Sequence, residues 1–455
     1  MISQAIFKAY DVRGLYPEEI NKDIVFGIGQ AYVVYTGAKT VVVGRDMRTS
    51  SPELFDALTS GLNQAGADVI DVGLVSTPEF YFSVASGDYD GGIMVTASHN
   101  PAKYNGLKIV GKGAMPIGLD SGLDKIRDLV LKGEHITKSK GSILEIDVLQ
   151  EYLETIFSFV RPKDISSSIR AVVCAANGMA GIIEPDLWKN LGARALMQHL
   201  ELDGNFPNHE ANPLKSENVQ DVISRVRREK ADIGICFDGD GDRVGFVDEL
   251  GNHIRGDLIL ALLAPEFLRA DIGAPALFDT RCTMAVGEEI LKAGGKPTFS
   301  KVGHALVKHQ MRSIGAIFGG ELSMHYYFRD FPGIECPDLV MLYVLKLMSE
   351  RKKKLSELIA PLLRYHHSGE INFTVSNKES VIKKIEKYWE GAASNVLRLD
   401  GLRMEFSDQK TKNIAWWFSL RTSNTEPLLR LNLEARTPEA LEEKSAILTN
   451  LIKNG

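Results

Sequence analysis

Apolar and polar positions follow two rhythms along this chain. Over roughly the first 360 residues, apolar runs of strand length alternate with stretches of helical period, which predicts α/β architecture with largely parallel sheets. A unit recurs within that stretch. A helical pattern ends at a glycine and a strand follows: Ala65-Gly66-Ala67-Asp68-Val69-Ile70, then Leu191-Gly192-Ala193-Arg194-Ala195-Leu196, then Gly294-Gly295-Lys296-Pro297-Thr298-Phe299. Glycine there suits a left-handed helix end. After each comes a second apolar strand that opens into a polar, glycine-containing loop. These strands are Gly92-Ile93-Met94-Val95, Asp232-Ile233-Gly234-Ile235-Cys236-Phe237 and Ala316-Ile317-Phe318, and the loops are 96–100, 238–243 and 319–325. Three related domains would each present one loop at the carboxyl end of a sheet, where α/β folds place ligands.

The C-terminal stretch changes rhythm. Ile371-Asn372-Phe373-Thr374-Val375, Leu402-Arg403-Met404-Glu405-Phe406 and Trp416-Trp417-Phe418-Ser419-Leu420 read as strands. Thr437-Pro438-Glu439 opens a helix, with Thr as N-cap and Pro in the first turn. The pattern therefore predicts three related mixed α/β domains, 1–147, 148–252 and 253–364, and a C-terminal α+β domain, 365–455.

Composition narrows the function. A net charge of −6 gives no electrostatic case for nucleic acid or an anionic membrane. No apolar run is long enough for a transmembrane helix or a signal peptide. The four cysteines, Cys174, Cys236, Cys282 and Cys336, form no C-x-x-C pair, so the spacing predicts buried thiols of a cytoplasmic protein and no zinc site.

The loops carry the candidate chemistry. Ser98, in Thr96-Ala97-Ser98-His99-Asn100-Pro101, is either a polar turn residue or a hydroxyl able to hold a phosphoryl ester. No G-x-S-x-G elbow supports a hydrolase. Lys108, beyond the turn signal Asn105-Gly106, either approaches Ser98 across a hairpin or is a solvated strand lysine. Asp238, Asp240 and Asp242 alternate with glycines, which aims three carboxylates at one point and suits Mg²⁺ with phosphate oxygens. An EF-hand is disfavoured: Glu249 falls at its twelfth position, but Arg243 stands where the loop needs glycine, and a strand precedes it. Arg243 suits a phosphate oxygen. Glu321, Ser323 and His325 offer paired donors and acceptors to a polyol. Arg421-Thr422-Ser423-Asn424-Thr425 is either a phosphate cradle or a plain hairpin loop. Arg13, in Tyr10-Asp11-Val12-Arg13-Gly14, is placed to face a phosphate. Arg45 and Arg48 read as structural, and Arg281 and His304 sit at strand ends near the sugar loop.

Taken in order, the T-A-S-H-N-P, D-G-D-G-D-R, G-E-x-S-x-H and R-x-S-N-T loops resemble those of the α-D-phosphohexomutase family, over essentially the whole chain. The resemblance implies four domains around a central cleft. It also implies a phosphosugar substrate, exchange between hexose 1-phosphate and hexose 6-phosphate, and a hexose 1,6-bisphosphate that is both intermediate and activator. Ser98 would carry the phosphoryl group, and Mg²⁺ would be held by Asp238, Asp240, Asp242 and an oxygen on Ser98. Lys108, His99 and Arg13 would give acid/base or electrostatic help, and Arg243 would stabilise the transferring group. Arg421, Ser423, Asn424 and Thr425, with Arg430, would grip the other phosphate. Tyr10, Arg281, His304, Glu321, Ser323 and His325 would contact the sugar or its phosphate. His325 and Asn424 look like mannose/glucose enzymes, whereas Met324, Arg281, Glu426 and Cys336-Pro337-Asp338 depart from that pattern. The rivals are a phosphoglucosamine mutase and a non-catalytic homologue, the latter disfavoured because every catalytic residue type is present. A monomer or homodimer without nucleic-acid or membrane partners is expected.

Overall fold

The computed structural model describes residues 3–133, 138, 140–408, 411, 413–422 and 428–454. They form two compact units, Met1–Arg255 with Ser323–Glu357, and Gly256–Leu322 with Leu358–Gly455.

The first sheet contains β1 (Val12–Leu15), β2 (Thr40–Arg45), β3 (Asp68–Leu74), β4 (Gly91–Val95), β5 (Tyr104–Gly111), β6 (Met115–Pro116) and β7 (Ile143–Glu145). Its order is β1-β5-β4-β2-β3-β7, with β6 beside β5. The strands β4, β2, β3 and β7 run parallel, and β5 turns back antiparallel on β4. Every residue of β4 is buried, the mark of a strand covered on both faces. Ile28, Tyr32, Leu58 and Leu62 of the helices Lys22–Thr36 and Ser51–Gln64 pack with Val41, Val43, Ile93 and Leu107 of the sheet.

The second sheet repeats the device with β8 (Arg170–Cys174), β9 (Arg194–Gln198), β10 (Ile233–Phe237), β11 (Val244–Asp248) and β12 (His253–Ile254), in the order β12-β11-β10-β8-β9. Again β10 is wholly buried and β11 returns antiparallel from it. In the second unit β13 (Pro275–Asp279) lies between β14 (Lys296–Ser300) and β15 (Phe318–Gly320), all parallel. β16 (Tyr326–Phe328) and β17 (Ile334–Glu335) form a hairpin in the first unit. The anticipated helix ends occur: Gly66, Gly192 and Gly294 have φ of 96°, 65° and 80°. One strand is displaced, because pairing with β13 begins at Phe318 and not at Ala316.

The last sheet is antiparallel: β18 (His366–Thr374), β19 (Asn395–Leu397), β20 (Leu402–Ser407), β21 (Ile414–Thr422) and β22 (Leu428–Ala435), in the order β18-β22-β21-β20-β19. Leu429, Leu431, Leu433 and Ala435 of β22 alternate into the core. Thr437 caps the helix Pro438–Lys453 as expected, its side chain accepting from the Ala440 amide. Among the described residues no helix is long and apolar enough to cross a membrane.

Candidate active site

The first loop joins β4 to β5. Ser98 has φ 50°, a left-handed conformation uncommon outside glycine that persists only when its surroundings enforce it. Thr96 Oγ1 accepts from the Ser98 amide at 2.9 Å. Arg48, wholly buried just beyond β2, supplies most of the remaining hold. Its Nη2 donates to the carbonyls of Ser98 (2.7 Å) and Asn100 (2.6 Å), and its Nη1 to those of Pro101 and Tyr104 (both 3.0 Å). Asp46 flanks Arg48 Nε at 3.2 Å. With its carbonyl tethered, Ser98 turns its hydroxyl to His99 Nδ1 (3.1 Å) and to Asp238 Oδ2 (3.3 Å). Desolvation first, then Arg243 and Arg13, hold the His99 imidazole well below its ordinary pKa, so the ring is neutral. Arg13 of β1 donates to Asn100 Oδ1 (2.9 Å) and pairs with Asp11 (2.6 Å). Tyr10, part-buried, lies two residues before that strand.

The second loop joins β10 to β11. Gly239 comes so close to the serine loop that a Cβ there would lie 2.7 Å from the Ser98 carbonyl oxygen, and Gly241 turns with φ 73°. Asp238 Oδ1 accepts from the amides of Asp242 (3.0 Å) and Arg243 (3.1 Å). Lys108, on β5 opposite Met94, reaches across to Asp240 Oδ2 (2.6 Å) and Asp242 Oδ2 (2.5 Å). Burial opposes the lysine charge, but the two carboxylates override it and hold the ammonium well above the ordinary lysine pKa. Burial, then Asp242 and Asp240, push Asp238 well up, whereas at Asp242 the charge of Lys108 overcomes burial and keeps the carboxyl well down. Asp240 Oδ1 and Asp242 Oδ1 are buried without a hydrogen-bond partner. One ligand oxygen from each of the three aspartates lies within 4.8 Å of the others. Hard oxygen donors in excess of the local positive charge fit a Mg²⁺ ion. Glu249, the EF-hand candidate, instead accepts from Ser356.

Arg243 Nε donates to His325 Nε2 (3.1 Å), and the ring's Nδ1 faces Ser323 Oγ (3.1 Å). His325 Nε2 also lies 3.4 Å from Asp242 Oδ1. The first unit therefore brings together Ser98, His99, Arg13, Lys108, the three aspartates, Arg243, Ser323 and His325.

The second unit gathers the rest. Asp279, ending β13, takes a forked pair of bonds from Arg281 (3.0 and 2.7 Å) and accepts from the Leu322 amide (2.9 Å). Glu321 Oε1 lies 4.0 Å from Arg281 and accepts from the Gly303 amide (2.8 Å), beside His304 at the start of the helix His304–Ile314. Arg421 of β21 and Arg430 of β22 face each other across the ladder, and both approach Glu370. Burial first, then Arg281, pull the Arg421 guanidinium below its ordinary pKa. Three guanidinium groups crowded near Glu370 and Asp400 offer several N–H donors to a bound anion. Ser423, Asn424 and Thr425 lie outside the described residues. Sequence reasoning treated Arg48 only as a structural arginine and missed its grip on the serine loop. Gly44-Arg45-Asp46-Met47-Arg48 at a strand end was the available signal.

These loops stand on a chain with broad kinship. Models of phosphoglucomutase/phosphomannomutase α/β/α domains I, II and III match residues 4–136, 150–251 and 255–365, and that of the C-terminal domain matches 370–448. A phosphomannomutase of Escherichia coli is 39% identical, with 97% of each chain covered. One of Methanocaldococcus jannaschii is also 39% identical, over 98% of this chain and 97% of that one. The crystal structure of a phosphoglucomutase/phosphomannomutase family protein from Burkholderia thailandensis has a TM-score of 0.91 at 36% identity, covering 100% of this chain and 98% of that one. The chain belongs to the phosphoglucomutase/phosphomannomutase family, the α-D-phosphohexomutases. It is an isomerase that acts as a phosphohexomutase.

Proposed function

We propose that this phosphohexomutase interconverts the 1- and 6-phosphates of mannose and glucose through a phosphorylated Ser98 and a hexose 1,6-bisphosphate, which also serves as activator. The observation that carries this reading is the Ser98 hydroxyl, held against Asp238 Oδ2 beside the cationic Lys108 and Arg243. In the first half-reaction the bond between phosphorus and the serine oxygen breaks and a bond to a sugar hydroxyl forms, the sugar hydroxyl losing its proton and the serine oxygen gaining one. In the second, the bisphosphate's other phosphorus–sugar oxygen bond breaks and the bond to the Ser98 oxygen re-forms, with the proton moving back from serine to sugar. His99, neutral and 3.1 Å from Ser98 Oγ, suits that proton transfer. Lys108 stays charged and, with Arg13 and Arg243, stabilises negative charge on the transferring group. Asp238, Asp240, Asp242 and an oxygen on Ser98 would hold Mg²⁺, which when bound supplies charge neutralisation to the phosphoryl oxygens.

Arg421 and Arg430, with Ser423, Asn424 and Thr425, take the non-reacting phosphate. Tyr10, Arg281, His304, Glu321, Ser323 and His325 take the sugar. A division into four domains ending at residues 147, 252, 364 and 455 follows the recurrence of the loops. A reducing, cytoplasmic setting is supported by four buried cysteines that form no disulfide.

The test compares turnover of mannose 1-phosphate, glucose 1-phosphate and glucosamine 1-phosphate with Mg²⁺ and a trace of glucose 1,6-bisphosphate. Comparable rates on the first two and little on the third are expected. Dominant turnover of glucosamine 1-phosphate would overturn the substrate assignment given to His325 and Asn424. Ser98→Ala is expected to abolish turnover with an unchanged melting temperature. Near-full activity in that variant would remove the phosphoserine route.

A further inference from the structure

A second cluster of metal-ligating side chains lies in the first unit and takes no part in the chemistry above. Cys174 ends β8 and is buried, and His199 follows directly on β9. His209 sits in the connection that follows, and Asp221 in the first turn of the helix Gln220–Glu229. The parallel pairing of β8 with β9 sets Cys174 opposite Gln198, which brings Cys174 and His199 to the same end of the sheet. One ligand atom from each of Cys174, His199 and His209 lies within 4.8 Å of the others. Cys174 Sγ is 3.7 Å from His209 Nε2. Asp221 Oδ2 completes the group, 2.6 Å from His199 Nε2 and 3.8 Å from His209 Nε2.

We propose that Cys174, His199, His209 and Asp221 form a site for a divalent transition ion, with zinc as the ion their donors suit best. One thiolate, two imidazoles and one carboxylate make a tetrahedral S, N, N, O set. Bonds of about 2.0 to 2.3 Å to a central ion leave donors about 3.3 to 3.6 Å apart. The Cys174/His209 and His209/Asp221 pairs lie near that, at 3.7 and 3.8 Å. His199 and Asp221, now in direct contact at 2.6 Å, would part by roughly 1 Å to admit the ion. His209 is already oriented as a ligand: its Nδ1 faces the Glu210 carbonyl at 2.9 Å, which places the proton on Nδ1 and leaves the Nε2 lone pair aimed at the cluster. His199 and His209 are partly exposed. A cavity of about 350 Å³ lined by Asn177, Gln198, His199, Glu201 and Asn208 reaches the cluster at His199.

Uptake releases one proton. The Cys174 thiol gives up its proton to solvent as the metal–sulfur bond forms. His199, which now meets Asp221 through Nε2, shifts its ring proton to Nδ1 and takes the ion on Nε2. Thiolate and imidazole donors select zinc, cobalt or copper over magnesium, so the site does not compete with the three-aspartate loop for the same ion. The consequence is local bracing. Phe206, in the same connection, lies under the Arg48 guanidinium at 5.2 Å, so the ion fastens the segment that backs the serine loop's anchor.

Cobalt(II) is the probe. The full-length protein, with excess Mg²⁺ present to fill the aspartate loop, is titrated with Co²⁺ and followed by absorption. The expected result is a thiolate-to-cobalt charge-transfer band that saturates at one ion per chain and is displaced by Zn²⁺. Cys174→Ser is expected to lose the band. His209→Gln, which alters a side chain outside the hydrophobic core, is expected to weaken binding at least tenfold with an unchanged circular dichroism spectrum. Absence of the band from the unaltered protein, or its persistence in Cys174→Ser, would overturn the proposal. So would unchanged affinity in His209→Gln, which guards against misfolding of the cysteine variant. Mutase turnover with Mg²⁺ is read separately, so a failure here leaves the phosphoserine reading intact.

Discussion

A strained serine needs an anchor, and Arg48 is that anchor. The planar guanidinium meets four carbonyl oxygens of the 98–104 segment at once, a geometry that a lysine ammonium cannot reproduce. Arg48→Lys is therefore expected to leave buried carbonyls unsatisfied, at a cost on the order of 3 kcal/mol in denaturant unfolding. It also releases the Ser98 carbonyl from its tether. Since a misplacement of about 1 Å at a reacting atom can lower a rate roughly a hundredfold, kcat is expected to fall on that scale. KM for the hexose phosphate should hold, because Arg48 is enclosed by protein and offers its donors to the loop. Steady-state kinetics decide the matter. A variant that loses stability but keeps kcat would reduce Arg48 to a packing residue.

At the scale of elements, the helix Thr77–Ser86 of the first sheet grips the aspartate loop of the second. Thr77 donates its hydroxyl to Asp240 Oδ2 (2.6 Å) and its amide to the Asp240 carbonyl (2.9 Å), at the positive end of the helix dipole. The start of that helix is built by a capping box in which the Ser76 side chain and Glu79 exchange bonds with each other's backbone amides. Glu79 is fully buried, and burial pushes its carboxyl up to about 7 from 4.5. The folded state thus holds a proton that the unfolded state gives up. The stabilisation is complete below about pH 4.5 and is lost as pH rises through about 7. Glu79→Gln keeps an acceptor for the Ser76 amide and removes the titration. Unfolding free energies measured from pH 4 to 8 are expected to show the wild type losing up to about 1.4 kcal/mol per pH unit relative to the variant across that window. Parallel curves would place the burden elsewhere. These contacts also mark where sequence reasoning stopped. The serine and aspartate loops were readable because each follows a fully apolar strand and is rich in small and polar residues, both local signals. The Arg48 grip joins residues 50 apart and the Thr77 bond residues 163 apart, so neither leaves a local pattern. The same holds for Cys174 and His209, whose spacing matches no metal-binding motif. By contrast β22, with its strict alternation of Leu429, Leu431 and Leu433, was written plainly enough to be named and went unnamed.

For the whole molecule, the two compact units divide the functional groups. The groups around Ser98 and the three aspartates belong to the first unit, and Arg281, Glu321, Arg421 and Arg430 to the second. The chain passes between units inside the sugar loop, between Leu322 and Ser323, so Glu321 serves one unit while Ser323 and His325 serve the other. A ligand that binds only the native arrangement of one unit protects that unit's backbone from exchange, because local opening must first release it. Mg²⁺ drawn to the buried carboxylates is therefore expected to slow amide exchange in peptides spanning 91–111 and 233–248, and to leave 402–422 and 428–435 unchanged. Inorganic phosphate, drawn to Arg421 and Arg430, is expected to do the reverse. Hydrogen exchange followed by mass spectrometry, with each ion alone and with chelator as the baseline, resolves these segments. Protection of 233–248 by phosphate but not by Mg²⁺ would exchange the two assignments. Protection by neither ion in its expected segment would mean that the carboxylates and arginines are structural pairs and not ligand sites.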